Sequence, residues 1–280
     1  MEAKVSFIGA GAMAEALICG WLKNNHLTGQ QITVTNRANN SRLEELKNYY
    51  HLQTTRAADK VVTPDTFIIL ACKPKDWQEA IKPYQHLLGA DTPVISVLAG
   101  LETTSIESAL TNQTVPVIRT MPNTSATVGA SMTAIAYGSN VPPAIRQRVA
   151  DLFAGVGKTA EVNEDQMDAM TALTGTGPAY IYYLMEAMEI AAEKMGIDRQ
   201  LAKTLVAQTL LGAAMRVQQG DGQPAQLYKQ IMSPGGTTEA GFEVLKKNNV
   251  QEAFISCMLR AWERSQELGS AAVPANKEIQ

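Results

Sequence analysis

Lys4-Val5-Ser6-Phe7-Ile8-Gly9-Ala10-Gly11-Ala12-Met13-Ala14 is the stretch that decides the fold. A short apolar strand runs without pause into the spacing G-x-G-x-x-A. Gly9 makes the tight turn, Gly11 lets the backbone approach a pyrophosphate, and Ala14 is small enough for close helix packing. Residues 13–25 follow with Ala16, Leu17, Gly20 and Trp21 at helical spacing, and Gln31-Ile32-Thr33-Val34-Thr35 supplies a second strand at the distance a βαβ unit needs. Glycine spacings of this kind also occur in plain turns. The strand before and the helix and strand after make this one a nucleotide-binding fingerprint.

The alternation continues outward. Thr66-Phe67-Ile68-Ile69-Leu70-Ala71-Cys72 is nearly all apolar, as a parallel strand buried on both faces should be, and it ends in Lys73-Pro74. Trp77, Ile81, Tyr84 and Leu88 have helical spacing that Pro83 interrupts. Further strands are predicted over 93–98 and 115–120, with two added ones over 132–137 and 158–162 flanking a helix near 143–153. Ligands of open parallel sheets sit beyond the carboxyl ends of the strands. The ends at Gly9, Asn36, Lys73, Ala99 and Asn123 are therefore expected to line one crevice.

From Glu164 the pattern is helical throughout. Asn163 suits an N-cap for a helix ending near Gly175, Pro178 sits in the first turn of a long helix stopped by Gly196, and another runs over 199–219 to Gly220. A shorter helix is expected over 224–232, then others from Thr238 and Gln251. The fold class is thus α/β: a Rossmann-type, doubly wound N-terminal domain (1–162), an all-helical C-terminal domain (163–270) and a tail (271–280). The segment 205–215 is apolar nearly all round, which points to a partner subunit, hence a homodimer through the helical domain. The methionines read as core filler.

With 280 residues, 45% hydrophobic and 18% charged, the chain suits an ordinary two-domain globular protein. A net charge of −3 gives no electrostatic case for nucleic acid or an anionic membrane, and no apolar run is long enough to suggest a membrane span. Three scattered cysteines and three scattered histidines suggest no metal site and a reducing, cytoplasmic setting.

The end of the second strand bears on which dinucleotide is bound. An NAD site places a carboxylate there for the ribose 2′-hydroxyl. This chain has Thr35-Asn36-Arg37, then Arg42, and no acid before Glu44. Asn and Arg can receive a 2′-phosphate that a carboxylate would repel, so NADPH is favoured and NADH left open. In the helical half, Ser233-Pro234-Gly235-Gly236-Thr237-Thr238 leads into a helix, and bare amides at a helix start make an anion site. Thr237 and Thr238 stand where an N-cap belongs. The helical half contains no histidine, and its glycine segment Thr174-Gly175-Thr176-Gly177-Pro178-Ala179-Tyr180 contains no lysine. Ketone reduction needs a proton donor for the forming alkoxide. Reduction of a protonated imine does not, so a small imine acid is the predicted substrate class.

Together, Gly9-Ala10-Gly11-Ala12-Met13, Ala71-Cys72-Lys73-Pro74, Arg119-Thr120-Met121-Pro122-Asn123, the Thr174–Tyr180 segment and the 233–238 loop occur in the order and near the spacing of pyrroline-5-carboxylate reductase, which the chain resembles over roughly 4–268. The resemblance implies reduction of 1-pyrroline-5-carboxylate to L-proline with NAD(P)H, the last step of proline synthesis. It also implies interlocked dimers, often in a ring of five. Thr238 would hydrogen-bond the ring nitrogen, while Ser233, Gly235, Gly236 and Thr237 would hold the substrate carboxylate. Cofactor contacts would come from Gly9, Ala10, Gly11, Ala12 and Met13, from Asn36 and Arg37, and from Ala71, Cys72, Lys73, Pro74, Ala99 and Asn123. Departures are mild: Cys72 where many members carry an aliphatic residue, Thr174 and Thr176 for serines, and Ala14 for glycine.

Two other readings use the same scaffold. A hydroxyacid dehydrogenase, or an imine reductase with another substrate, is one; the dehydrogenase needs a catalytic lysine or histidine, and Lys194 and Lys203 are candidates for it. A catalytically silent NADPH-binding regulator is the other, and an intact 233–238 loop argues against it.

Overall fold

The computed structural model describes residues 3–220 and 222–272. Its strands are β1 (Lys4–Ile8), β2 (Ile32–Thr35), β3 (Gln53–Thr54), β4 (Thr66–Leu70), β5 (Val94–Ser96), β6 (Val117–Met121), β7 (Ser131–Tyr137) and β8 (Gly157–Glu161). They form one sheet in the spatial order 3-2-1-4-5-6-7-8, parallel except where β6 meets β7. The helices of the first half are α1 (Ala12–Lys23), α2 (Asn40–Tyr50), α3 (Ala58–Val61), α4 (Trp77–Ile81), α5 (Thr103–Ala109) and α6 (Pro143–Ala154). Those of the second are α7 (Met167–Met170), α8 (Gly177–Lys194), α9 (Arg199–Gln219), α10 (Pro224–Ile231), α11 (Thr237–Lys247) and α12 (Val250–Ala272).

The near-continuous apolar strands are explained by two cores, one on each face of the sheet. Successive side chains alternate between faces. Phe7, Phe67, Ile69, Ile95 and Ile118 enter one core with Leu17, Trp21 and Phe153. Their neighbours Ile8, Ile68, Leu70, Val94 and Val117 enter the other with Trp77, Ile81 and Ile106. Trp21 anchors the first core between Phe7 (ring centroids 5.9 Å apart) and Phe153 (6.0 Å), and its indole N–H donates to the Leu152 carbonyl at 2.7 Å. A fully buried aromatic of this kind, cut back to alanine, costs about 3–5 kcal/mol.

Several elements depart from the expected ones for local reasons. The helix expected across 77–88 is broken into 3₁₀ turns over Pro74–Asp76 and Lys82–Leu87 around the five-residue α4, because Pro83 cannot continue the ladder. A second interruption follows Asn163, which with Gln166 forms a capping box, so the chain enters as a 3₁₀ turn, becomes α7, and widens to a π-turn over Thr171–Gly175. α12 runs on to Ala272, just past the expected start of the tail at 271; residues 273–280 fall outside the described ones.

Packing divides the chain into two compact units: residues up to Pro178 together with those from Arg260 on, and Ala179–Leu259. The division therefore falls beyond 162. Arg119 on β6, 1% exposed, ties the segment after β8 to the sheet through Glu164 Oε1 and Asp168 Oδ1, each at 2.8 Å. Thr103 donates to the other Glu164 oxygen at 2.9 Å, and Ser265 of α12 donates to Asp168 at 2.8 Å. In the second unit, Tyr228 stacks on Phe242 with centroids 4.9 Å apart and Tyr180 meets Phe254 edge-on. Its helices leave many large apolar side chains exposed, among them Ile181, Tyr183, Leu201, Leu205, Leu211 and Met215. No helix among the described residues is long and apolar enough to cross a membrane.

Candidate active site

One candidate site is built at the carboxyl edge of β2-β1-β4-β5-β6. Chain connections leave β1 toward β2 on one side and β3 toward β4 on the other, which opens a crevice above β1. Gly9 turns out of β1 at φ +123, its N–H donating to the Thr35 carbonyl at 2.9 Å, and a Cβ there would overlap the Ala71 carbonyl. Glycine is thus dictated by neighbouring backbone. Gly11 is different. It is the N-cap of α1, with no side-chain cap, and a Cβ on it would meet no atom closer than the Ala71 oxygen at 3.8 Å. The first-turn amides of α1 stay uncovered, and the open space above Gly11 is a cradle that a side chain would fill. Dipole and amides together suit a pyrophosphate there. Ala10, Ala12 and Met13 complete this loop.

The other expected contacts follow along the edge. Asn36 is the first residue past β2, and Arg37 beside it is exposed and makes no ion pair among the described residues. Arg42 is turned the other way: it bonds the Ala10 carbonyl at 3.1 Å and pairs with Glu15 and Glu45, so its charge is neutralised within the protein. Ala71, Cys72, Lys73 and Pro74 leave β4, with Lys73 exposed; burial pushes the Cys72 thiol up to about 11. Ala99 follows β5 and is half-buried. Asn123, past β6, is 5% exposed, and its side chain is engaged: Oδ1 caps a 3₁₀ turn through Ser125 N–H at 3.0 Å, and Nδ2 donates to the Thr174 carbonyl at 2.9 Å. Arg56 lies outside every sequence motif, yet its guanidinium bonds both Asn36 and Asn40. It follows β3, a two-residue strand too short to recognise from its pattern.

In the second unit, the loop 233–238 is held by its own atoms. Gly235 adopts φ +71 with open space where a Cβ would go, and the Gly236 amide donates to the Ser233 carbonyl at 2.9 Å. Gly236, not a threonine, is the N-cap of α11, and no side chain caps it; Thr237 and Thr238 are the first two helical residues. Thr238 is half-buried, while Ser233, Gly235 and Thr237 are exposed. The Gly235 amide donates to Glu239 Oε2 at 2.7 Å, so one of the expected bare amides already holds a carboxylate. An anion of that charge is what the loop's geometry favours. The hydroxyls of Thr174 and Thr176, by contrast, donate to Met170 and Ala172 carbonyls in their own helical turns.

A switch-point crevice over an uncapped helix and a left-handed glycine defines the first half as a dinucleotide-binding domain of the Rossmann class. Residues 4–100 match the family model described as NADP oxidoreductase, coenzyme F420-dependent, and residues 164–268 match that described as pyrroline-5-carboxylate reductase dimerisation. Pyrroline-5-carboxylate reductase 1 of Bacillus spizizenii is 42% identical over 267 residues, covering 95% of this chain and 90% of the relative. Among solved structures, Plasmodium falciparum pyrroline carboxylate reductase with NADP bound superposes with a TM-score of 0.85 at 28% identity, covering 95% of this chain and 98% of that one. The Coxiella burnetii pyrroline-5-carboxylate reductase gives 0.82 at 33% identity, covering 96% and 99%. The chain belongs to the pyrroline-5-carboxylate reductase family, and it carries that family's dimerisation domain.

Proposed function

We propose that the chain reduces 1-pyrroline-5-carboxylate to L-proline, the last step of proline biosynthesis, with NADPH as the preferred reductant and NADH as an alternative. The observation that carries this reading is the loop 233–238: an uncapped helix start with a threonine hydroxyl in its first turn, already able to hold a carboxylate. The substrate carboxylate goes to the main-chain amides around Gly235, Gly236 and Thr237, with Ser233 at the loop's entrance. The Thr238 hydroxyl oxygen accepts the N–H of the protonated ring imine. When bound, the dinucleotide supplies a hydride. Its addition to the C=N carbon moves the π electrons onto nitrogen and leaves a neutral amine, so no acid is required beside it. Orientation then carries most of the rate.

The cofactor would be held by the Gly9–Met13 loop at its pyrophosphate, by Asn36 and Arg37 at its adenosine ribose, and by the turn 71–74, Ala99 and Asn123 further along the edge. For Asn123 this means the backbone, since its side chain is engaged elsewhere. Residues up to 162 serve the cofactor and 163–270 serve substrate and dimer. The exposed apolar side chains of α8 and α9 support a second copy as the partner, with five such dimers as the larger assembly.

The test is an activity grid of NADPH and NADH against pyrroline-5-carboxylate and ketoacids, run with Thr238→Ala alongside. Loss of one hydrogen bond to a charged N–H predicts a kcat lower by about 10- to 100-fold, with NADPH affinity retained. Ketoacid turnover exceeding that of pyrroline-5-carboxylate would overturn the substrate, and an unimpaired variant would overturn the role of Thr238.

A further inference from the structure

We infer that Arg56 is a specificity-determining residue for the cofactor, the cation that receives the adenosine 2′-phosphate together with Arg37. The inference rests on the cofactor reading above and extends it to a residue that the motif does not contain. Three observations converge. The first is position. β3 pairs in parallel with β2, Thr33 opposite Gln53 and Val34 opposite Thr54, so the residues that follow the two strands leave the sheet side by side. Arg56 thereby lies against Asn36, the residue at which a ribose is expected.

The second is geometry. Arg56 Nε donates to the Asn36 carbonyl at 2.8 Å, one terminal nitrogen to Asn36 Oδ1 at 2.8 Å and the other to Asn40 Oδ1 at 2.7 Å. Asn36 Nδ2 in turn donates to the Asn39 carbonyl at 2.7 Å. The guanidinium is fixed by neutral oxygens on both asparagines, and its remaining N–H groups are free for an incoming anion.

The third is charge. Arg56 has no ion pair among the described residues, whereas Arg42, the other arginine near this edge, is neutralised by Glu15 and Glu45. Arg37 and Arg56 are left with their charge unspent, and the stretch from Asn36 to Arg42 that Arg56 lies against contains no acid. A fixed, unneutralised fork next to a ribose site is suited to a phosphate dianion and gains far less from a bare hydroxyl.

The experiment is equilibrium binding to the full-length protein, followed by calorimetry, of NADP+, NAD+, 2′,5′-ADP and 5′-AMP. Arg56→Ala is expected to weaken NADP+ and 2′,5′-ADP by about 10- to 100-fold and to leave NAD+ and 5′-AMP within about twofold. Arg56→Lys, which keeps the charge and loses the fork, is expected to fall between, and it carries the comparison if the alanine variant melts early. Equal weakening of both dinucleotides would assign Arg56 to bracing Asn36 alone and overturn the inference, as would unchanged NADP+ binding. A wild-type protein that binds neither dinucleotide overturns the cofactor reading itself, and the role of Arg56 falls with it.

Discussion

Gly9 and Gly11 stand two residues apart in one motif, and the structure assigns them separable roles. Gly9→Ala places a Cβ over the Ala71 carbonyl and 2.6 Å from the Cys72 nitrogen, at φ +123. All three obstructing atoms are backbone, so β1 and β4 must part at their carboxyl ends for the methyl to fit. Overpacking costs about 1–3 kcal/mol, and a strained backbone adds about 1–3 kcal/mol. A loss of roughly 2–6 kcal/mol follows, a large share of a domain's total stability. At Gly11 the backbone is ordinary, and the added methyl meets nothing nearer than 3.8 Å. Gly11→Ala should therefore change stability by no more than about 0.5 kcal/mol, yet its methyl stands in the cradle over the α1 amides. Urea melts without cofactor read the first effect, and NADPH titration by fluorescence energy transfer from tryptophan reads the second. Gly9→Ala is expected to shift the melt strongly; Gly11→Ala is expected to melt like the wild type and bind NADPH about 10- to 100-fold more weakly, the equivalent of one or two charge-assisted hydrogen bonds. A Gly11→Ala protein with undiminished affinity would refute the argument that the pyrophosphate approaches there. A Gly9→Ala protein of full stability would refute the packing argument.

Arg119→Met removes the cation that links β6 to Glu164 and Asp168, and urea unfolding should show a loss of about 2–4 kcal/mol, below the upper range for breaking a buried pair because both carboxylates keep some contact with water. The double variant Glu164→Gln, Asp168→Asn strands the buried guanidinium instead and should cost more; the reverse order would show that the pairs do not set the stability of this segment. At Cys72, burial pushes the thiol up to about 11, so at pH 8 only about one part in a thousand is thiolate. Iodoacetamide labelling of the Cys72 peptide, followed by mass spectrometry, should therefore be slow at pH 8 and accelerate about tenfold per pH unit to pH 10, whereas a rate that levels off below pH 9 would contradict it.

What was legible in the sequence was what backbone chemistry demands. The alternation of apolar strands with helices placed seven of the eight strands, and order in the sheet follows from the handedness and length of the crossovers. β3 escaped because two residues carry no periodicity, and α2 because Leu43 and Leu46 are its buried residues amid a polar sequence. The break in the helix after β4 was signalled by Pro83, but its length was not, since 3₁₀ turns keep nearly the same side-chain spacing. The segment 163–178 reads as the start of the helical half. Packing assigns it to the sheet because a single buried arginine on β6 requires two carboxylates, a long-range pairing with no local signature.

The site divides along the same line. Gly9, Gly11 and Gly235 could be singled out because their conformations are properties of the main chain, and glycine is what suits a left-handed turn or leaves the space over a helix start open. Side-chain allocation is a competition between partners that the fold brings together, and spacing does not report who wins. Arg42 sits in the stretch where a phosphate-binding cation belongs and is taken by Glu15 and Glu45. Asn123 sits at a strand end and is taken by Ser125 and Thr174. Glu239 looks like an ordinary first-turn acid, yet it reaches back to Gly235 and occupies an amide that the substrate's carboxylate would use. On the proposed reading, a substrate that binds there displaces one carboxylate with another, and the loop's selectivity would then rest on the group that only the substrate brings, a cationic N–H facing Thr238.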